Sequence, residues 1–247
     1  MRNPLTSAFA RYIMEATITE ADLVTPAMRR IRLETGGPIP FPYSPGQHVR
    51  IQTIDPFSPR GLLRPLETLR TYTIWQYEPQ AIELLAHLYQ SDGGGVGLRW
   101  ASGARPGDRV TFWRHQGGFC TREDAAYHLF IGEETASAAF APMIRALDGS
   151  ARVYGVLESE SPQDDIPMPR PHGLHRVHRH GTSAHYSKTL LAGVAGLDLP
   201  AEPGAAYIAG EARTCQMIRD HLVRDRRWPR TSIKVKPFWT PGKRGLH

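Results

Sequence analysis

Hydrophobic and polar positions alternate along the first half of the chain. Residues 28–34 set Ile31 and Leu33 against Arg30, Arg32 and Glu34, and residues 47–53 set Val49 and Ile51 against His48, Arg50 and Gln52. A period of two marks a strand with one buried face. Residues 12–18, 69–77, 82–89 and 108–113 read as further strands. Turn signals separate them: Thr35-Gly36-Gly37-Pro38, Tyr43-Ser44-Pro45-Gly46, Asp92-Gly93-Gly94-Gly95 and Arg105-Pro106-Gly107-Asp108. Six short strands with such punctuation predict a small antiparallel β-barrel. Residues 55–68, with three prolines, are too long for a hairpin turn and are expected to cover something.

The rhythm changes in the second half. Residues 127–131, 151–157, 174–178 and 205–209 read as short buried strands. Residues 135–147 read as an Ala-rich helix that Pro142 should kink. A second helix starts at Ser187, a capping residue, and a third spans 214–226 with Cys215, Ile218 and Leu222 on one stripe. Residues 232–239 close as a strand that Pro237 confines to an edge or an end. Strand–helix alternation predicts a parallel sheet with crossover helices. The expected organisation is a six-stranded antiparallel β-barrel domain over residues 1–121, then a parallel-sheet α/β domain over 122–247. Residues 159–171, polar and Pro-rich, read as the most mobile segment.

Composition narrows the function classes. The 23 Gly and 21 Pro of 247 residues point to turns and loops rather than a helical bundle. No apolar run reaches the ~18 residues of a membrane span, and residues 1–10 lack the apolar core of a secretory signal. The two cysteines, Cys120 and Cys215, exclude a four-cysteine iron–sulfur site and suggest no disulfide framework, so a reducing cytoplasm is expected. A monomer is the expected state. The net charge of +6 fits an anionic small molecule or dinucleotide, or a plain solvated basic face. Nucleic acid is disfavoured, because no basic helix and no aromatic–basic motif accompanies the charge.

Three stretches carry candidate chemistry. Arg70-Thr71-Tyr72-Thr73 opens a strand and offers a guanidinium for a phosphate, a phenol ring for a flat cofactor and a hydroxyl. In a strand Arg70 and Tyr72 share one face, Thr71 and Thr73 the other. The glycines of residues 93–97, before Leu98, Arg99 and Trp100, read either as a phosphate cradle ahead of a helical turn or as a flexible hairpin loop. They are neither a Rossmann fingerprint nor a Walker loop. Gly132-Glu133-Glu134-Thr135-Ala136 and Gly210-Glu211-Ala212 each follow a strand and open a helix, where an open α/β sheet binds ligands. The same acids also read simply as helix caps. No serine-hydrolase elbow or zinc-protease element occurs.

These stretches, with the tail Phe238-Trp239-Thr240-Pro241-Gly242-Lys243, stand in an order and spacing that resembles the siderophore-interacting proteins. These are ferric-siderophore reductases of the ferredoxin–NADP reductase superfamily. The likeness runs from about Tyr12 to Gly242. It implies FAD on the barrel and NADPH or NADH on the α/β domain. By position, Arg70 would meet the FAD phosphates, Tyr72 would stack on the isoalloxazine and Thr73 would hydrogen-bond near its N5, with Thr71 in the same motif. The backbone of Gly95, Val96, Gly97, Leu98 and Trp100 would hold the pyrophosphate. Glu134, Thr135, Ala136 and Glu211 would line the nicotinamide side, and Trp239 would sit close to the flavin.

The chain departs from the family pattern where Gly95-Val96-Gly97-Leu98 replaces Gly-Pro-Ala-Ser, which removes a hydroxyl and leaves more to backbone amides. Glu133 also replaces the usual Asp, and the proline soon after Thr-Ala is absent. His172, His175, His178, His180 and His185 crowd one segment. Exposed histidines are expected there rather than a metal site. His178-Arg179 matches a family His-Arg pair, and Arg179 would touch the ribose or its 2′-phosphate.

The implied activity is reduction of ferric siderophores, which weakens the hold of hard oxygen donors on iron. FAD would accept two electrons as one hydride and pass them on singly, and no acid–base catalyst is required. Arg50, Lys243 and Arg244 are candidates for a basic mouth that steers an anionic ferric complex. A reduced ferredoxin is the alternative donor. Rival readings are a general NAD(P)H–flavin reductase and a non-enzymatic siderophore- or flavin-binding module.

Overall fold

The computed structural model describes residues 12–89 and 95–242. Residues 1–10, read above as lacking the apolar core of a secretory signal, lie outside the described residues, as do most of the Asp92 turn, Lys243 and Arg244. The chain divides into two units between Gly118 and Phe119.

In the first unit β1 (Ile13–Thr25), β2 (Met28–Thr35), β3 (His48–Gln52), β4 (Leu69–Glu78), β5 (Ala81–His87) and β6 (Arg109–Gln116) close into a barrel. Their order is β1-β2-β5-β4-β3-β6 and every pairing is antiparallel. Alternation sends Ile31, Leu33, Val49, Ile51, Ile74, Ile82, Leu84 and Phe112 inward, where all are buried. Burying each such side chain stabilises by roughly 1.5–3 kcal/mol. The opposite face of β2 carries charge: Arg32 pairs with Glu78 at 2.6 Å and with Glu83 at 3.3 Å. His48 keeps the register of β3 against β4 and yet is buried, with Gly117 close against its ring beside a β3–β6 bulge between His48 and Arg50. Residues 55–68 form helix α1 (Pro59–Leu63), capped by Ser58, and a 3-10 turn at Pro65–Glu67. Leu62 and Leu63 stand 71% and 83% exposed, so α1 turns its apolar pair to solvent rather than covering a partner among the described residues. Helix α2 (Val96–Gly103) packs Ala101 into the barrel core.

In the second unit β7 (His128–Glu133), β8 (Val153–Ser159), β9 (Leu174–His178), β10 (Ala205–Glu211) and β11 (Ile233–Trp239) form a parallel sheet ordered β11-β10-β7-β8-β9. Pro237 lies on the edge strand β11, as its missing N–H requires. Helix α3 (Glu134–Arg145) packs Ala136, Ala139, Phe140 and Met143 on Phe130, Leu157 and Tyr207. Helices α4 (Lys188–Ala195) and α5 (Ala212–Arg224) pack Leu190, Val194, Ile218 and Leu222 on Leu129, Ile131, Val156 and Ile208. Adjacent strand residues thus serve opposite faces, and the sheet is covered on both.

Gly132 is required by this packing: a Cβ there would lie 2.4 Å from both the Ala136 Cβ and the Ala209 carbonyl. Helix α3 runs on through Pro142, its buried face continuous to Ile144. The segment 159–171 is tethered rather than loose. Ser159 Oγ donates to Asp165 at 2.7 Å, Ser161 Oγ donates to Asp164 at 2.7 Å, and Arg176 donates to the carbonyl of buried Ile166 at 2.6 Å. Its polar side chains bond to one another, which composition did not reveal. Among the described residues no helix is long and apolar enough to cross a membrane.

Candidate functional site

Each unit holds a cluster of the expected site residues. In the barrel, Arg70 and Tyr72 share a strand face. Across the ladder they meet Ile51 and Val49. Both reach the first turn of α2: a Cβ added to Gly97 would lie 3.2 Å from the Tyr72 hydroxyl and 3.3 Å from Arg70 Cγ. Glycine at 97 therefore lets the helix start come down onto this pair. The Tyr72 hydroxyl donates to the Gly97 carbonyl at 2.9 Å, and its ring leans on Trp100 at 5.0 Å between centroids. Burial pushes the Tyr72 phenol above its ordinary value, so it remains a neutral donor. Arg70 Nη1 donates to the Leu69 carbonyl at 2.7 Å.

Gly95 occupies the N-cap position of α2, and no side chain among the described residues caps the helix. The amides of Val96, Gly97 and Leu98 thus start a helix whose positive end lies against the Arg70 side chain, a combination suited to an anion. Thr71 and Arg50 face each other across β3 and β4, on the strand face opposite Arg70 and Tyr72. Thr73, opposite His48, lies on that same far face. The four-residue motif is therefore split between two faces.

In the second unit the strand ends are acidic. Glu133 ends β7, Glu158 lies near the end of β8 and Glu211 ends β10; with Glu134 all are buried. The sheet order reverses between β7 and β10, where open α/β sheets form a ligand crevice. Glu133 caps α3, accepting from the Thr135 amide at 2.8 Å and from the Thr135 hydroxyl. It also accepts from Trp239 Nε1 at 2.9 Å. Its close fit needs Gly210 at φ 118°, since a Cβ there would meet Glu133 Oε1 at 2.5 Å. Burial, reinforced by neighbouring Glu134, pushes the Glu133 carboxyl up to about 7 against these three donors.

Glu211 caps α5 through the Thr214 amide at 2.8 Å, while His185 Nδ1 stands 3.2 Å from its other oxygen. Ser187 caps α4 by accepting from the Leu190 amide at 3.0 Å and donates its hydroxyl to Glu158. Burial also raises the Glu158 carboxyl. At each of the three helix N-termini of this unit one first-turn amide is thus capped by a side chain of this chain.

Arg179 lies buried among carboxylates. Its guanidinium is only 8% exposed and binds Glu134 through two bonds of 2.6 Å, with Glu158 at 3.5 Å and Glu160 at 3.4 Å. Burial works against its charge, but the Glu134 bonds outweigh this and hold it above the ordinary value. Glu134 is correspondingly turned inward, and Thr135 is engaged with Glu133. Ala136 is packed on the sheet. His178 meets Asp165 at 3.3 Å, and its ring lies 5.8 Å from that of His180. No metal-holding group of three or more His, Cys, Asp or Glu occurs among the described residues.

Two functional contacts escaped the sequence reading. Arg29 of β2 grips the last turn of α2, and Ser187 links α4 to Glu158. The first joins residues 72 positions apart and has no local signal. The second was legible only as a cap.

Comparison with known proteins fits this geometry. Residues 125–242 match the siderophore-interacting protein family, and residues 63–118 match the siderophore-interacting FAD-binding domain. The chain is 28% identical over 178 residues to the ferric vibriobactin reductase of Vibrio cholerae, covering 70% of this chain and 65% of that protein. It is 24% identical over 167 residues to the NADPH-dependent ferric-chelate reductase of Escherichia coli, covering 66% and 63%. The match thus spans less than two thirds of either relative's length. The siderophore-interacting protein structure from Acinetobacter baumannii superposes with a TM-score of 0.79 at 17% identity, covering 93% of this chain and 91% of that one. The fold is the ferredoxin-reductase-like pairing of a barrel and a parallel sheet.

Proposed function

The chain belongs to the siderophore-interacting protein family, and on that premise we propose that it is an FAD-dependent reductase of ferric siderophores supplied by NAD(P)H. The observation that carries the proposal is the uncapped start of α2 lying on Arg70 and Tyr72. Bound there, FAD would supply the conversion of a two-electron donor into one-electron steps that Fe³⁺ requires. Arg70 and the amides of Val96, Gly97 and Leu98 hold its pyrophosphate. Tyr72, with Trp100 beside it, offers an aromatic surface to the isoalloxazine, and Thr71 and Thr73 serve the polar edge of the motif. Arg50, on the far strand face, attracts the anionic ferric complex.

For the donor, the fit is narrower. One first-turn amide of each of α3, α4 and α5 is taken by a side-chain cap, and Arg179 is enclosed by carboxylates. Nicotinamide phosphates therefore need other basic groups. The buried acids Glu133 and Glu211 and the Trp239 ring define the strand-end surface near which a nicotinamide would lie. The two cysteines are unpaired, which supports a reducing cytoplasm as the site of action, and we assign a monomer as the working state.

Purified protein is tested first by its visible spectrum and by uptake of added FAD. Stopped-flow bleaching with NADH, NADPH and reduced ferredoxin then identifies the donor. Reoxidation by a ferric siderophore, with Fe²⁺ trapped by a chelator, completes the test. Protein that refuses FAD ends the proposal. Rapid reduction of free flavin or dyes without iron release would support a general flavin reductase instead.

A further inference from the structure

Helix α2 is held at both ends by barrel side chains. Tyr72 holds its first turn through the Gly97 carbonyl at 2.9 Å. Arg29 holds its last turn: Nη1 donates to the Ala101 carbonyl at 2.9 Å and to the Ser102 carbonyl at 2.7 Å. The remaining nitrogens of Arg29 reach the Ala21 carbonyl on β1, Nη2 at 3.1 Å and Nε at 3.4 Å. One guanidinium therefore ties the helix to the β1–β2 ladder.

Ala101 and Ser102 supply the carbonyls that a helix C-terminus leaves without intrahelical donors, and a cation there also meets the negative end of the dipole. Eight residues at 1.5 Å rise make α2 about 12 Å long. A rod so short, fixed at one end by Arg29 and at the other by Tyr72, has its axis determined. The direction of its first-turn amides follows from that axis.

We propose that Arg29 is a positioning residue that makes the barrel prefer FAD over a flavin without phosphates. It touches no flavin. It fixes α2 so that the amides of Val96, Gly97 and Leu98 converge on the same phosphate as Arg70. This rests on reading the start of α2 as the pyrophosphate cradle. A merely structural staple would loosen the barrel as a whole and weaken every flavin alike.

The test is titration of flavin-stripped full-length protein with FAD and with riboflavin, read by flavin fluorescence, for wild type, R29M, R29K and R70A. R29M should weaken FAD about tenfold while riboflavin affinity stays within twofold of wild type. R29K, which keeps the charge and loses the fork, should fall between. Equal weakening of FAD and riboflavin in R29M overturns the inference, as does unchanged FAD affinity. If R29M does not accumulate as folded protein, R29K decides alone, and FAD binding equal to wild type overturns the inference. The R70A arm separates the two levels: unchanged FAD affinity there overturns the cradle itself, whereas an R70A loss without an R29 loss overturns only the role of Arg29.

Discussion

The helix starts of the two units are built in opposite ways. Helix α2 in the barrel begins at a glycine, has no side-chain cap and lies against Arg70. Helices α3, α4 and α5 begin at Glu133, Ser187 and Glu211, each of which bonds its own first turn. The same backbone chemistry, a row of N–H groups without intrahelical partners, meets no side-chain cap among the described residues in one unit and a capping side chain at each helix in the other. A glycine cap leaves a site that an external anion completes. A carboxylate cap brings its own acceptor to the first turn. The second unit also buries Glu134 and Glu158, which cap no helix, and Arg179 balances these two.

The largest break in the comparison is therefore removal of Arg179. Arg179→Met leaves Glu134 and Glu158 buried without their cation, and such a loss costs about 3–5 kcal/mol. Urea unfolding of the variant should show the α/β unit melting early, with part of the loss recovered by adding Glu134→Gln. Unchanged midpoints would mean that the acids are balanced in another way.

Arg70→Ala tests the other side of the contrast. Loss of a charge-assisted hydrogen bond to phosphate costs roughly 1.5–3 kcal/mol, a ten- to hundredfold weaker FAD dissociation constant. Fold stability of the flavin-free protein should change little. A dissociation constant equal to wild type would remove Arg70 from the cradle.

How much of this was legible in the sequence follows the range of each interaction. The barrel strands were readable because Ile31 and Leu33, or Val49 and Ile51, repeat every second residue. The stripe Cys215, Ile218 and Leu222 and the Ser187 cap were readable because a helix writes its contacts within a few positions. The acids at 133 and 211 left two local readings, ligand or cap, and the structure uses both as caps. The pairing of Arg179 with Glu134 spans 45 positions and depends on how β9 and α3 dock on the sheet. The resemblance assigned Arg179 to a ribose and gave no sign of the carboxylates around its guanidinium. The burial of His48 was not legible, because an alternating pattern says nothing of Gly117 closing on its ring.

The pH response sharpens the comparison further. A carboxyl whose folded pKa is raised binds its proton more tightly in the folded state. Its contribution to stability is present below the unfolded value near 4.5 and is lost as pH rises through the folded value. Glu133, raised to about 7, and Glu158, also raised, both act in this sense. Stability of the α/β unit should fall between about pH 4.5 and 7, by on the order of 1–3 kcal/mol. Depressed carboxyls such as Asp148 and Asp220 act oppositely, and their contribution is lost only as pH falls through their own lowered values. Urea midpoints at pH 5.5 and 8 check the sign; a higher midpoint at pH 8 would contradict it.

The smallest expected effect distinguishes a cap from a charge holder. Ser187→Ala removes an acceptor for the Leu190 amide, a loss of about 1 kcal/mol for a helix cap. It also removes the hydroxyl that donates to Glu158 and so lowers that carboxyl's raised pKa. Without the donor the Glu158 pKa rises further, and its charged form becomes costlier. The cap loss is independent of pH, whereas the second loss grows as Glu158 ionises. Ser187→Ala should therefore destabilise more at pH 8 than at pH 5.5. Equal losses at the two pH values would show that Ser187 serves α4 alone and that Glu158 draws its support from Arg179.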